Sequence, residues 1–212
     1  MPSYFFWLFF FQPCQKFHII FLVIISLTIF FKDKISRSLS AFIAVNYILI
    51  GIFQNIVITD QYGVAIVMSN MILDFVIAFF FLWEALIHRN ILIFKNVPKW
   101  KYLIILLAFL NFWWPMDELG QWDFNPIRLI MNVGILAYCS VTPIYLTILL
   151  LIHPRVNLAT TRVASFIGLY FGVLNFLYWF VLYPNHVLAT LHLPLLIISF
   201  LVLIISRKTV KS

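Results

Sequence analysis

Charge is scarce in this chain. Asp, Glu, Lys and Arg make up 10% of its 212 residues, against roughly 25% in a soluble domain that must cover its surface. A water-facing globular surface is thereby excluded. A hydrophobic content of 64% and a mean hydropathy of +1.06 point to lipid as the solvent. Cysteine is nearly absent. The two present, Cys14 and Cys139, sit at or within apolar stretches, form no metal-type pair, and read as free packing residues. The sequence contains no H-E-x-x-H, no G-x-S-x-G, no C-x-x-C and no Walker loop, so zinc-protease, hydrolase, dithiol and nucleotide-loop chemistry have no motif here. No lysine lies inside the last apolar stretch, which excludes a retinal Schiff base there. Short alternating segments are missing too, so a β-barrel is not expected.

Long apolar runs, by contrast, are plentiful. Seven stretches, 17–31, 38–58, 64–87, 102–116, 127–152, 163–183 and 187–206, are separated by short polar breaks. Continuous runs of this kind become helices in lipid, because a helix satisfies its own backbone hydrogen bonds. The expected fold is therefore all-α, a single domain over residues 1–212 forming a seven-helix transmembrane bundle. The fourth stretch is short and ends in Trp113-Trp114-Pro115. When alternate breaks are assigned to opposite sides, 12 of the 14 Lys and Arg residues fall on one side, and only Lys16 and Arg128 on the other. The positive-inside rule then predicts the N-terminus outside and the C-terminus in the cytoplasm. The net charge of +7 follows from this bias. Basic loops beside an anionic leaflet account for it, and nucleic acid is not an expected partner. The aromatic N-terminal run, Tyr4 to Phe11, lacks a basic leader region and a cleavage site, and reads as an interfacial anchor retained in the chain.

At an offset of 124 residues, stretches one to three align with five to seven without a gap, pairing Phe42 with Phe166, Ile43 with Ile167 and Ala65 with Ala189. This three-plus-one-plus-three order with an outer N-terminus resembles the SWEET sugar transporters, whose parallel repeats share it. The resemblance is one of helix order and implies no roles for particular residues.

Asp74 is the most pointed functional signal. It lies within the third stretch, where an ionised acid costs roughly 2.5–3.5 kcal/mol on insertion scales and must face a bundle interior or a wet cavity. Asn70 precedes it by one turn on the same face. His192 lies in the seventh stretch two residues before Pro194 and is a candidate ligand or partner for Asp74. Amides within stretches, Asn46, Asn111, Asn132 and Asn175, are candidates for pocket lining or helix glue. Tyr138, Thr142 and Tyr145 form one polar stripe, interrupted by Pro143. Glu84 reads as an interface residue paired with Arg89 or Lys101. Asp117, Glu118, Asp123 and Arg128, interleaved with tryptophans, read as a solvated outer loop. Gly168 and Gly172 have the spacing of a close-packing motif.

The expected ligand set is Asp74, Asn70, Asn132, Asn175 and His192, with no metal site and no cofactor assigned. The expected function is binding or transport of a small polar solute through a pocket in the outer half of the bundle, with Pro143 and Pro194 as flexible points. An intramembrane lipid-modifying enzyme, and a structural subunit assembled with other membrane proteins, are the competing readings.

Overall fold

In the computed structural model the described residues are 18–28, 30–59, 63–94, 97–117, 119–127, 129 and 134–207. Among them the chain forms seven α-helices and one β-hairpin. Helix α1 is His18–Thr28. A 3-10 turn, Lys32–Ile35, leads into α2, Ser36–Phe53. Strands β1 (Ile56–Thr59) and β2 (Gly63–Ile66) pair antiparallel, Ile56 opposite Ile66 and Thr59 opposite Gly63. Then come α3 (Met68–Ile87), α4 (Trp100–Trp113), α5 (Tyr138–Ile152), α6 (Leu158–Leu177) and α7 (His186–Arg207). Helix α6 runs on as a π-helical turn, Tyr178–Leu182.

The hairpin corrects the expectation of an uninterrupted helical chain. Stretches 38–58 and 64–87 each give up one end to a strand. The residues concerned, Ile-Val-Ile-Thr and Gly-Val-Ala-Ile, are mostly β-branched, a type that favours strands over helix. Gly63 takes a positive φ of 66° where the second strand begins, a conformation only glycine adopts freely. Stretch 127–152 is shortened as well. A 3-10 turn, Gly134–Leu136, precedes an extended Ala137, and α5 starts only at Tyr138.

Four segments are long and apolar enough to cross a membrane: Asp33–Phe53, Met68–Ile87, Leu158–Leu182 and His186–Arg207. Helices α1, α4 and α5 are equally apolar but shorter. The longest of them, α5, has 15 residues and so measures about 22 Å, against about 30 Å of hydrocarbon in a bilayer. Large apolar side chains stand outward on several helices, among them Phe79, Leu86, Leu103, Leu106 and Phe166. A water-soluble monomer does not normally expose so much apolar surface.

Two helix pairs pack unusually closely, and glycine permits both. A Cβ on Gly172 of α6 would lie 2.9 Å from Leu196 Cα on α7, and one on Gly168 would meet Ser199 Oγ. A Cβ on Gly51 of α2 would meet the Phe75 ring at 2.8 Å and Asp74 Cβ at 3.3 Å on α3. Between the pairs lies a core of Phe21, Tyr47, Ile50, Phe81, Tyr145 and Leu195, each almost fully buried.

Candidate functional site

The polar stripe of α5 faces α2. Tyr47 and Thr142 share a hydrogen bond of 2.8 Å between their hydroxyls, and the Tyr145 hydroxyl donates to Asn46 Oδ1 at 2.8 Å. Asn46 in turn donates to the Ile135 carbonyl at 2.8 Å. Tyr138, the third member of the stripe, is buried beside Thr142, and its hydroxyl meets no hydrogen-bond partner of good geometry among the described residues. Its backbone N–H donates to Gln54 Oε1 at 2.8 Å, which ties the start of α5 to the end of α2.

Asp74 comes from α3 into this same region. Because α3 begins at Met68, Asp74 lies less than two turns, about 9 Å, from the hairpin end of the helix. It is only 2% exposed. Oδ2 accepts from Asn55 Nδ2 at 2.8 Å. Oδ1 is buried and has no hydrogen-bond partner among the described residues. Asn55 stands at the base of the hairpin, and its own carbonyl accepts from Val67 N–H at 2.9 Å. The bond at the hairpin base therefore also holds Asn55 where its amide reaches Asp74. The carboxyl lies within electrostatic reach of Tyr47, Tyr138 and Cys139. Two orphaned polar groups, Asp74 Oδ1 and the Tyr138 hydroxyl, thus belong to one buried centre bounded by α2, α3 and α5. Asn175 of α6 adjoins it, donating to the Phe171 carbonyl at 2.9 Å and to Cys139 Sγ at 3.7 Å.

The remaining expected ligands lie elsewhere. Asn70 is half-buried, and its Oδ1 accepts from the neighbouring Ser69 hydroxyl at 3.4 Å. The contact with Asp74 comes from Asn55, which was not among the expected ligands. His192 does not bond to Asp74. Its Nδ1 donates to the Leu188 carbonyl one turn back at 2.7 Å, and its ring meets Trp114 edge-on at 5.7 Å. It is a packed histidine at the contact of α7 with the end of α4. Asn132, Glu118 and Arg128 lie outside the described residues. Asn55, Gln54 and Tyr47 were missed because they fall in an apolar run whose end hydropathy does not mark.

Glu84 forms a second buried polar centre, at the other end of α3. It is 1% exposed. Oε1 accepts from the Asn90 N–H at 2.6 Å and Oε2 from Asn157 Nδ2 at 2.7 Å. Asn157 also caps α6, accepting from the N–H groups of Ala159 and Thr160. Asn90 Oδ1 accepts from Asn157 N–H at 2.6 Å, and the Asn90 carbonyl accepts from Ser36 at 2.7 Å. The expected partners Arg89 and Lys101 are not used. Lys101 Nζ instead donates to the Leu150 carbonyl at 2.5 Å, near the C-terminus of α5. With each Glu84 oxygen held by a cap or a loop donor, this centre joins α2, α3 and α6.

Asp117 and Asp123 brace the backbone of the 115–126 loop. Asp117 Oδ1 accepts from the N–H groups of Leu119 and Gln121 at 2.9 and 2.8 Å, and Asp123 Oδ1 from that of Asn125 at 3.0 Å. Among the described residues no three His, Cys, Asp or Glu side chains gather in a way that could hold a metal ion. No protein family, curated protein or solved structure matches the chain.

Proposed function

We propose that the chain is a polytopic membrane protein of seven spans, N-terminus outside, whose Asp74 centre binds a small polar solute during its passage. The orphaned Asp74 Oδ1 carries this reading. A buried carboxyl with one unpaired oxygen is costly in a medium of low dielectric. It is relieved by a proton or by a ligand that donates to it. The neighbouring Tyr138 hydroxyl, also unpaired, offers a second contact. Together they suit a solute rich in hydrogen-bond donors, such as a polyol, an amine or a cation. Position favours access from the hairpin end, since only two helical turns separate Asp74 from it. The three short helices complete seven spans through flanking turns and local thinning of the bilayer. The lipid-enzyme and assembly-subunit readings have no specific contact in their favour.

Uptake into proteoliposomes of radiolabelled polyols, amines and monovalent cations tests the proposal. Asp74→Asn keeps the shape and the bond with Asn55 through an amide flip, and is expected to fold and insert but to lose uptake. Uptake at the wild-type rate by this variant contradicts the role.

A further inference from the structure

A cavity of about 430 Å³ lies between α1, α4 and α5, away from Asp74. Its volume is within the range of small-molecule sites. Its walls are apolar, with Phe21 and Ile25 from α1, Ala108 and Phe112 from α4, and Ile144 and Ile148 from α5. Tyr102, Ile105 and Phe109 on its α4 edge are exposed, so the cavity opens sideways as a groove. Around it stand α1, α4 and α5, whose described helical segments are the three shorter ones. Along α4 the groove runs from Tyr102 to Phe112, about 15 Å. That is half the hydrocarbon thickness, the depth of one leaflet.

One end of the groove is basic. Thr28, Phe94, Val97 and Tyr102 line it there. Lys99, exposed at the N-terminal boundary of α4, stands between Val97 and Tyr102. The adjacent Lys101 is committed to the Leu150 carbonyl, so among the described residues Lys99 is the exposed cation beside this mouth. At the opposite end the ring of His18 stacks on Phe112 at 4.6 Å, its Nε2 held by the Leu129 carbonyl.

We infer that this groove holds one acyl chain of an anionic phospholipid, with the headgroup phosphate at Lys99 and the chain running toward Phe112. The shape accepts a single flexible chain and the charge selects the headgroup. A lysine near the surface attracts an anionic lipid by a factor of about five. The inference rests on the chain lying in a bilayer and is independent of the Asp74 site, so its failure leaves that proposal standing.

Native mass spectrometry of the full chain tests it, after incubation in detergent with an equimolar mixture of phosphatidylglycerol and phosphatidylcholine. One phosphatidylglycerol per chain is expected, favoured about fivefold over phosphatidylcholine. Ala108→Phe, which fills the groove, is expected to lose the lipid. Lys99→Gln is expected to keep a lipid and lose the preference. If Ala108→Phe does not fold, Ile105→Trp at the exposed edge makes the same test. A wild type that retains no lipid, a filled groove that retains as much as the wild type, or a Lys99→Gln protein with its preference intact overturns the inference. So does lipid binding that appears only after removal of residues 1–16, which would make that segment the occupant.

Discussion

Pro143 has no N–H, so the Cys139 carbonyl one turn back loses its helical donor. Asn111 on α4 fills the gap, its Nδ2 donating to that carbonyl. A proline that looked like a flexible point is therefore pinned by an amide from another helix. Lys101 does similar service near the C-terminus of α5, where its donation to Leu150 places a positive charge at the negative end of the helix dipole. His153 caps the same end, with its Nε2 buried and unpartnered. Burial, and then the charge of Lys101, hold its pKa below the usual 6.5. The unfolded chain then takes up a proton first, so stability that is complete above pH 6.5 is lost as pH falls below it. His153→Gln should flatten the fall of the thermal midpoint between about pH 6.5 and 5, measured by following tryptophan fluorescence in detergent. An unchanged acid limb would remove His153 from the cause.

At the scale of elements, packing is governed by where glycine lets backbones meet. Gly172 lies against the Leu196 backbone itself, which cannot swing aside as a side-chain tip can. Gly172→Val should separate α6 from α7 at a cost of about 1–3 kcal/mol, read as a lower midpoint in thermal unfolding. Gly63→Ala, where a Cβ would meet nothing, should show only the smaller cost of a positive φ. Equal losses at the two positions would contradict the close approach. The Gly168–Gly172 spacing and the polar stripe of α5 were legible in the sequence, because helical periodicity puts Tyr138, Thr142 and Tyr145 on one face. The hairpin was not, because hydropathy scores Ile56-Val57-Ile58 in a strand as it would in a helix. With the hairpin hidden, Asn55 looked like the interior of a span rather than the residue that orients Asp74. Glu84 was legible as buried but not as to partner. Asn90 and Asn157 lie six and 73 residues away in sequence, and no charge marks them.

Across the whole molecule, the two ends of α3 do different things. At Glu84 every oxygen is satisfied and three helices are locked together. At Asp74, one oxygen is left open. The bundle thus has a fixed end and an end with polar capacity to spare. In the orientation we propose from the charge bias, the fixed end faces the cytoplasm. In a background with Cys14 and Cys139 replaced by serine, Leu119→Cys should react with a membrane-impermeant maleimide on intact cells, and Lys99→Cys only after the membrane is opened. Labelling in the reverse order would invert the orientation.

The open oxygen of Asp74 is decided by comparing wild-type and Asp74→Asn proteins, purified in parallel, by native mass spectrometry with small-molecule analysis of the released material. A polar solute carried by the wild type and missing from Asp74→Asn is the predicted result. Identical spectra for the two proteins, bare or loaded, would contradict it and leave Asp74 as a packing residue.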